Sequence, residues 1–146
     1  MRSIDAKDGE ITYCNNQQSQ QNDKVIQERR IRFMIKPYLL VVTGRPGSGK
    51  TTFSRELGKQ LFLPVISRDD IKEGYVHTFG KRHSELPEDT NKIVTELFFE
   101  TITLLLSANV SLIAEAAFQH KLWESQLNLL KEKTKMFMLI CKVEDD

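Results

Sequence analysis

The segment Gly44-Arg45-Pro46-Gly47-Ser48-Gly49-Lys50-Thr51 leaves a chain few folds to choose from. Its pattern, G-x-x-x-x-G-K-[ST], works only when a strand delivers the loop and a helix receives it. Both flanks fit. Upstream, Tyr38-Leu39-Leu40-Val41-Val42 is the short apolar run of a buried parallel strand. Downstream, Phe53, Leu57 and Leu61 recur every four residues, as on one face of a helix.

The residue types follow from phosphate chemistry. Backbone N–H groups of the loop converge on phosphate oxygens, and a Cβ at Gly44 or Gly49 would obstruct the turn. Gly47 and Ser48 keep the loop small. Lys50 sets a cation against the β- and γ-phosphates, and the Thr51 hydroxyl is placed to ligate Mg²⁺. Arg45, Pro46 and Thr52 complete the expected nucleotide-contacting set, with the helix N-terminus adding its dipole. The expected ligands are ATP and Mg²⁺.

Composition narrows the setting. The 146 residues carry a formal net charge of +1, with 40% hydrophobic and 28% charged residues. This suits one α/β domain and argues by bulk charge against coating nucleic acid or a membrane surface. No apolar stretch approaches the ~20 residues of a membrane span, and the first residues lack the apolar core of a secretory signal. Cys14 and Cys141 have no metal-ligand spacing and read as free thiols in a reducing compartment. A cytoplasmic location is therefore expected.

Residues 1–33 are expected to form a disordered or weakly structured extension. The tract Cys14-Asn15-Asn16-Gln17-Gln18-Ser19-Gln20-Gln21-Asn22-Asp23 offers almost nothing to bury against chain entropy. From residue 34 to 146 the pattern alternates. A strand over 38–43, the loop, and a helix over 51–61 come first. A short strand at Val65-Ile66-Ser67 and a short helix from Asp69 follow. Residues 73–87 read as a polar loop. A long helix over about 88–107, a strand at 110–114, a helix over 120–133 and a strand at 135–143 complete the pattern. This alternation predicts an α/β fold, a parallel sheet of about four strands with helices on both faces. Ligands of such sheets bind beyond the carboxyl ends of the strands.

Two of those strand ends carry further chemistry. Ser67-Arg68-Asp69-Asp70-Ile71-Lys72 directly follows the second strand, and Leu112-Ile113-Ala114-Glu115 closes the third. With the phosphate loop, the first segment resembles the small P-loop kinases. That group includes the 5′-kinase domain of polynucleotide kinase, zeta-toxin-type kinases, chloramphenicol phosphotransferase and gluconate kinase. The likeness covers residues 36–143 and implies a P-loop NTPase fold with kinase activity toward a hydroxyl acceptor, a small molecule or a nucleic-acid end. It further implies that Asp69 is the base facing that hydroxyl, a role a carboxylate in hydrogen-bond reach can fill. Arg68 and Lys72 would meet the acceptor, although Lys72 stands where the family tends to have arginine and lacks its bidentate fork. Glu115 occupies the position where these kinases commonly have Asp near Mg²⁺. Each role has a plainer rival. Asp69 or Asp70 caps the next helix, and Glu115 turns out to solvent.

In the same family an arginine-bearing lid and a fifth strand follow. Every arginine of this sequence lies at or before Arg82, so the chain reads as a C-terminally incomplete kinase. Three functions stay open: a phosphotransferase, a nucleotide-binding module without transfer, and an NTPase.

Overall fold

A computed structural model describes residues 6–7, 10–11, 24–26, 35–80, 82–117 and 122–142. Its contacts divide the chain into two units, Met1–Ile35 and Lys36–Asp146. In the first, Ala6–Lys7 pairs antiparallel with Glu10–Ile11, and residues 24–26 form a helical turn. The amide-rich tract Cys14–Asp23 lies outside the described residues.

The second unit is built on four parallel strands, β1 (Tyr38–Gly44), β2 (Val65–Ser67), β3 (Leu112–Glu115) and β4 (Lys135–Cys141). They lie side by side in the order β2-β3-β1-β4. Four helices connect and cover them: α1 (Lys50–Leu61), α2 (Arg68–Phe79), α3 (Thr90–Ser107) and α4 (Leu122–Lys133). The expected alternation is present, with element ends shifted by a residue or two except at the end of α2.

Strand register sorts the side chains into two faces. Leu39 pairs with Leu112 and Val41 with Ala114, so these four point the same way. They meet Phe98, Phe99, Ile102 and Leu106 of α3 and Leu130 of α4, all buried. Trp123 packs at the edge of this core, its ring 5.2 Å from that of Phe99 and 6.0 Å from that of Phe98. Leu40, Val42, Ile113 and Val65 take the opposite face, under α1.

The helix expected from the Phe53, Leu57 and Leu61 repeat is present, but that stripe is not its buried face; Phe53 and Leu61 are 43% and 47% exposed. Lys50, Ser54 and Gly58 are the buried positions instead. Close approach selects them, since a Cβ on Gly58 would lie 2.6 Å from Val65 Cγ2 and 3.0 Å from the Leu63 carbonyl oxygen. Small residues let the helix axis come nearer than an apolar stripe would.

Residues 73–87 are also less of a loop than their polarity suggests. Helix α2 continues through Gly74 to Phe79 and stops at Gly80, whose φ of 60° and N–H bond to the His77 carbonyl form the C-cap. Ile71, Tyr75 and Phe79 fall one turn apart, and the Tyr75 and Phe79 rings lie 4.7 Å from each other. That apolar repeat, with Val76 buried, outweighs the ~1 kcal/mol cost of Gly74 inside a helix. The 3₁₀ turn His83–Glu85 interrupts the remaining connection.

Candidate functional site

The carboxyl ends of three neighbouring strands meet at one edge of the sheet. Ser67 on β2 pairs with Glu115 on β3, and Glu115 pairs with Val42 on β1. The phosphate loop leaves β1 immediately beyond, at Gly44. Gly44 pairs with Cys141 of β4 at φ 151°, and a Cβ there would run into the Cys141 carbonyl oxygen and lie 2.8 Å from Ser48 Oγ. Glycine is required at this position by the strand beside it as well as by the turn.

Gly47 and Gly49 adopt φ values of 78° and 79°, left-handed backbone that glycine takes without strain. Gly49 is the N-cap of α1, so no side chain caps that helix. Its first N–H groups and its dipole are left for an anion. The turn is closed by Ser48 N–H donating to the Arg45 carbonyl at 3.2 Å. The same carbonyl accepts from Lys50 Nζ at 2.8 Å, which folds the ammonium back over the loop although the residue is only 8% exposed. Arg45, Pro46 and Thr52 are exposed, and Thr51 is half-buried. Ser48 Oγ is buried with no hydrogen-bond partner.

Glu115 is 1% exposed. Its Oε2 accepts a hydrogen bond from Ser67 Oγ at 2.7 Å, while Oε1 has no partner. It lies on the face that α1 covers, with Val42 of β1 and Ser67 of β2 on either side in register. A buried carboxylate oxygen without a donor is costly, and the arrangement suits a cation arriving with the nucleotide. Among the described residues no three His, Cys, Asp or Glu side chains cluster as a metal site. Thr51, half-buried at the start of α1, and the buried Glu115 are the two residues expected to serve Mg²⁺, an ion that takes few protein ligands and keeps water and phosphate oxygens.

The residues after β2 separate into different tasks. The helix cap is neither aspartate: Ser67 caps α2, its Oγ accepting from Asp70 N–H at 3.4 Å. Asp70 is held by Arg55 Nη2 of α1 at 3.1 and 3.2 Å, both side chains more than half exposed. Asp69 stays 72% exposed, its Oδ1 3.7 Å from Arg68 Nη1. Arg68 itself turns toward α3, donating to Thr95 Oγ1 at 3.1 Å and to the Asn91 carbonyl at 3.2 Å. Its guanidinium also lies 5.8 Å from the Trp123 ring centroid. Lys72 shares the Asp69 side of α2, one turn on, and is half-buried.

Sequence reasoning gave Ser67 no task of its own. The signal was present, since Ser67-Arg68-Asp69-Asp70 has the S-x-x-D spacing of a helix start. The pairing of Ser67 with Glu115, 48 residues away, is visible only once the strands are in register.

Comparisons with known proteins bear on the family and the fold. The family model described as "AAA domain" matches residues 39–144. The cytidylate kinase of Pyrobaculum calidifontis is 31% identical over 68 residues, covering 42% of this chain and 37% of that protein. The match thus spans little more than a third of the curated relative. A solved structure from Chloroflexus aurantiacus, a protein assigned as a kinase, is 29% identical with a TM-score of 0.66, covering 74% of this chain and 60% of that one. A chain of the Pnkp1/Rnl/Hen1 RNA repair complex shares the fold at 20% identity and a TM-score of 0.60, over 73% of this chain and 33% of its own. No helix among the described residues is long and apolar enough to cross a membrane. The chain belongs to the AAA domain family, and its neighbours are similar to the small P-loop kinases.

Proposed function

We propose that the chain is an ATP-dependent phosphotransferase that moves the γ-phosphoryl group to a hydroxyl of a small molecule or a nucleic-acid end. The observation that carries this reading is the bare Oε1 of Glu115, buried at the strand end beside the phosphate loop, with the open carboxylate of Asp69 one strand over. The loop N–H groups and the α1 N-terminus hold the phosphates. Lys50 leaves the Arg45 carbonyl and faces the β- and γ-oxygens. Thr51 and Glu115 hold Mg²⁺ directly or through water. When bound, that ion would neutralise charge that builds during transfer. Asp69 orients the acceptor hydroxyl and accepts its proton as the new P–O bond forms and the bond to the ADP leaving oxygen breaks.

A nucleotide-binding module without transfer is the second reading, and Arg68 favours it. Its guanidinium is committed to Asn91, Thr95 and Trp123. It is therefore poorly placed to serve the transferring group, a role in which an arginine contributes ~10³–10⁵ in rate.

Release of ADP from Mg·ATP, measured with and without a panel of sugars, nucleosides and 5′-hydroxyl oligonucleotides, separates the readings. Acceptor-dependent release supports the phosphotransferase. Binding without turnover identifies the module, and release that ignores every acceptor identifies an NTPase.

A further inference from the structure

The Ser67 hydroxyl stands between two groups that the proposed reaction needs. It is 4% exposed, is the last residue of β2 and is also the N-cap of α2, with no loop between strand and helix. Its one proton goes to Glu115 Oε2 at 2.7 Å, and its lone pair receives the Asp70 N–H at 3.4 Å. A hydroxyl that accepts from an amide donates more strongly to a carboxylate, because each bond polarises the next. A glutamate can offer either oxygen and has three torsions to do it with. Here the register fixes Ser67 directly opposite Glu115, so the hydroxyl chooses which oxygen is occupied and leaves Oε1 bare.

We propose that Ser67 is a positioning residue, holding the Glu115 carboxylate with one oxygen tied and the other presented to the nucleotide-bound Mg²⁺. This rests on the reading above, in which Glu115 serves that ion. The hydroxyl touches neither metal nor phosphate and acts through Glu115. It resembles the outer partners that orient metal-ligating carboxylates and whose loss typically costs ~10–100-fold in metal affinity. Because the same oxygen caps α2, it ties the placement of Glu115 to the start of the helix that carries Asp69.

The test is calorimetric titration of ATP into the full chain, with Mg²⁺ and with a chelator, for wild type, Ser67→Ala, Ser67→Thr and Glu115→Gln. The quantity read is the factor by which Mg²⁺ tightens ATP binding. In Ser67→Ala that factor should fall ~10–100-fold, close to the Glu115→Gln value, while metal-free ATP affinity stays near wild type. Ser67→Thr keeps the hydroxyl and should recover most of the factor. Should the alanine variant not fold, Ser67→Gly provides the same comparison, since glycine is tolerated at an N-cap. A Ser67→Ala protein with the wild-type factor, beside a Glu115→Gln protein that has lost it, would overturn the proposal. So would a loss of thermal midpoint with the factor intact, which would leave Ser67 a helix cap alone. Failure of the underlying reading looks different, because wild type would then bind no ATP, or Glu115→Gln would keep the full factor.

Discussion

The Cα of Gly44 and the carbonyl oxygen of Cys141 lie too close to admit a methyl group between them. The loop is thus anchored by β4 at the point where it leaves β1, and the turn geometry is a property of the sheet as well as of the glycines. Gly44→Ala should destabilise the domain by about 1–3 kcal/mol, the usual range for overpacking, and weaken ATP binding in the variant that still folds. Thermal denaturation and calorimetry check the two effects. An unchanged thermal midpoint would mean that β4 yields to the added carbon.

Among the described residues the Lys50 ammonium donates to the Arg45 carbonyl, and the side chain is otherwise buried. Lys50→Ala should therefore lower Mg·ATP affinity ~10–100-fold, the equivalent of the ~1.5–3 kcal/mol of a hydrogen bond to a charged group. Titration of folded mutant and wild type measures it, and equal affinities would remove the phosphate role.

The two aspartates after Arg68 give a paired prediction. Asp69→Asn keeps size and removes the proton acceptor, so ATP binding should persist while transfer falls ~10²–10⁴-fold. Asp70→Asn breaks only the exposed pair with Arg55, worth about 1 kcal/mol or less, and should leave transfer alone. Acceptor-dependent ADP release by the two variants distinguishes them. Similar losses in both would point to disturbance of α2 rather than to chemistry at Asp69.

Phe98 is fully buried between β1, β3 and Trp123. Phe98→Ala should cost ~3–5 kcal/mol of stability, read as the midpoint of urea unfolding. A loss below about 1 kcal/mol would show that the core collapses around the gap.

How far the sequence discloses all this depends on how local each cause is. The strand, loop and helix at 38–61 are legible because glycine positions and apolar runs act within a few residues. The length of α2 is harder, since Gly74 and the charges around it mask the Ile71, Tyr75 and Phe79 repeat. The seating of α1 misleads for another reason. Phe53, Leu57 and Leu61 carry the apolar periodicity, yet contact with the sheet is made where side chains are smallest, at Ser54 and Gly58. Arg68 shows the limit most clearly. Its position beside Asp69 suggests contact with a substrate, but its partners Asn91 and Thr95 belong to α3. Nothing near residue 68 announces them.

Gly58 lies two turns along α1 from Lys50, about 12 Å at 1.5 Å per residue. It touches no candidate ligand. Yet α1 is a stiff rod seated on the sheet at Ser54 and at that bare backbone position, with Lys50, Thr51 and the anion-facing N–H groups at its far end. A side chain at 58 would meet Val65 Cγ2 at 2.6 Å and the Leu63 carbonyl oxygen at 3.0 Å, so the rod must shift to admit it, and a tilt there is carried along the rod to its N-terminus. A substitution at 58 is thus expected to alter nucleotide affinity from a remote site, through leverage alone.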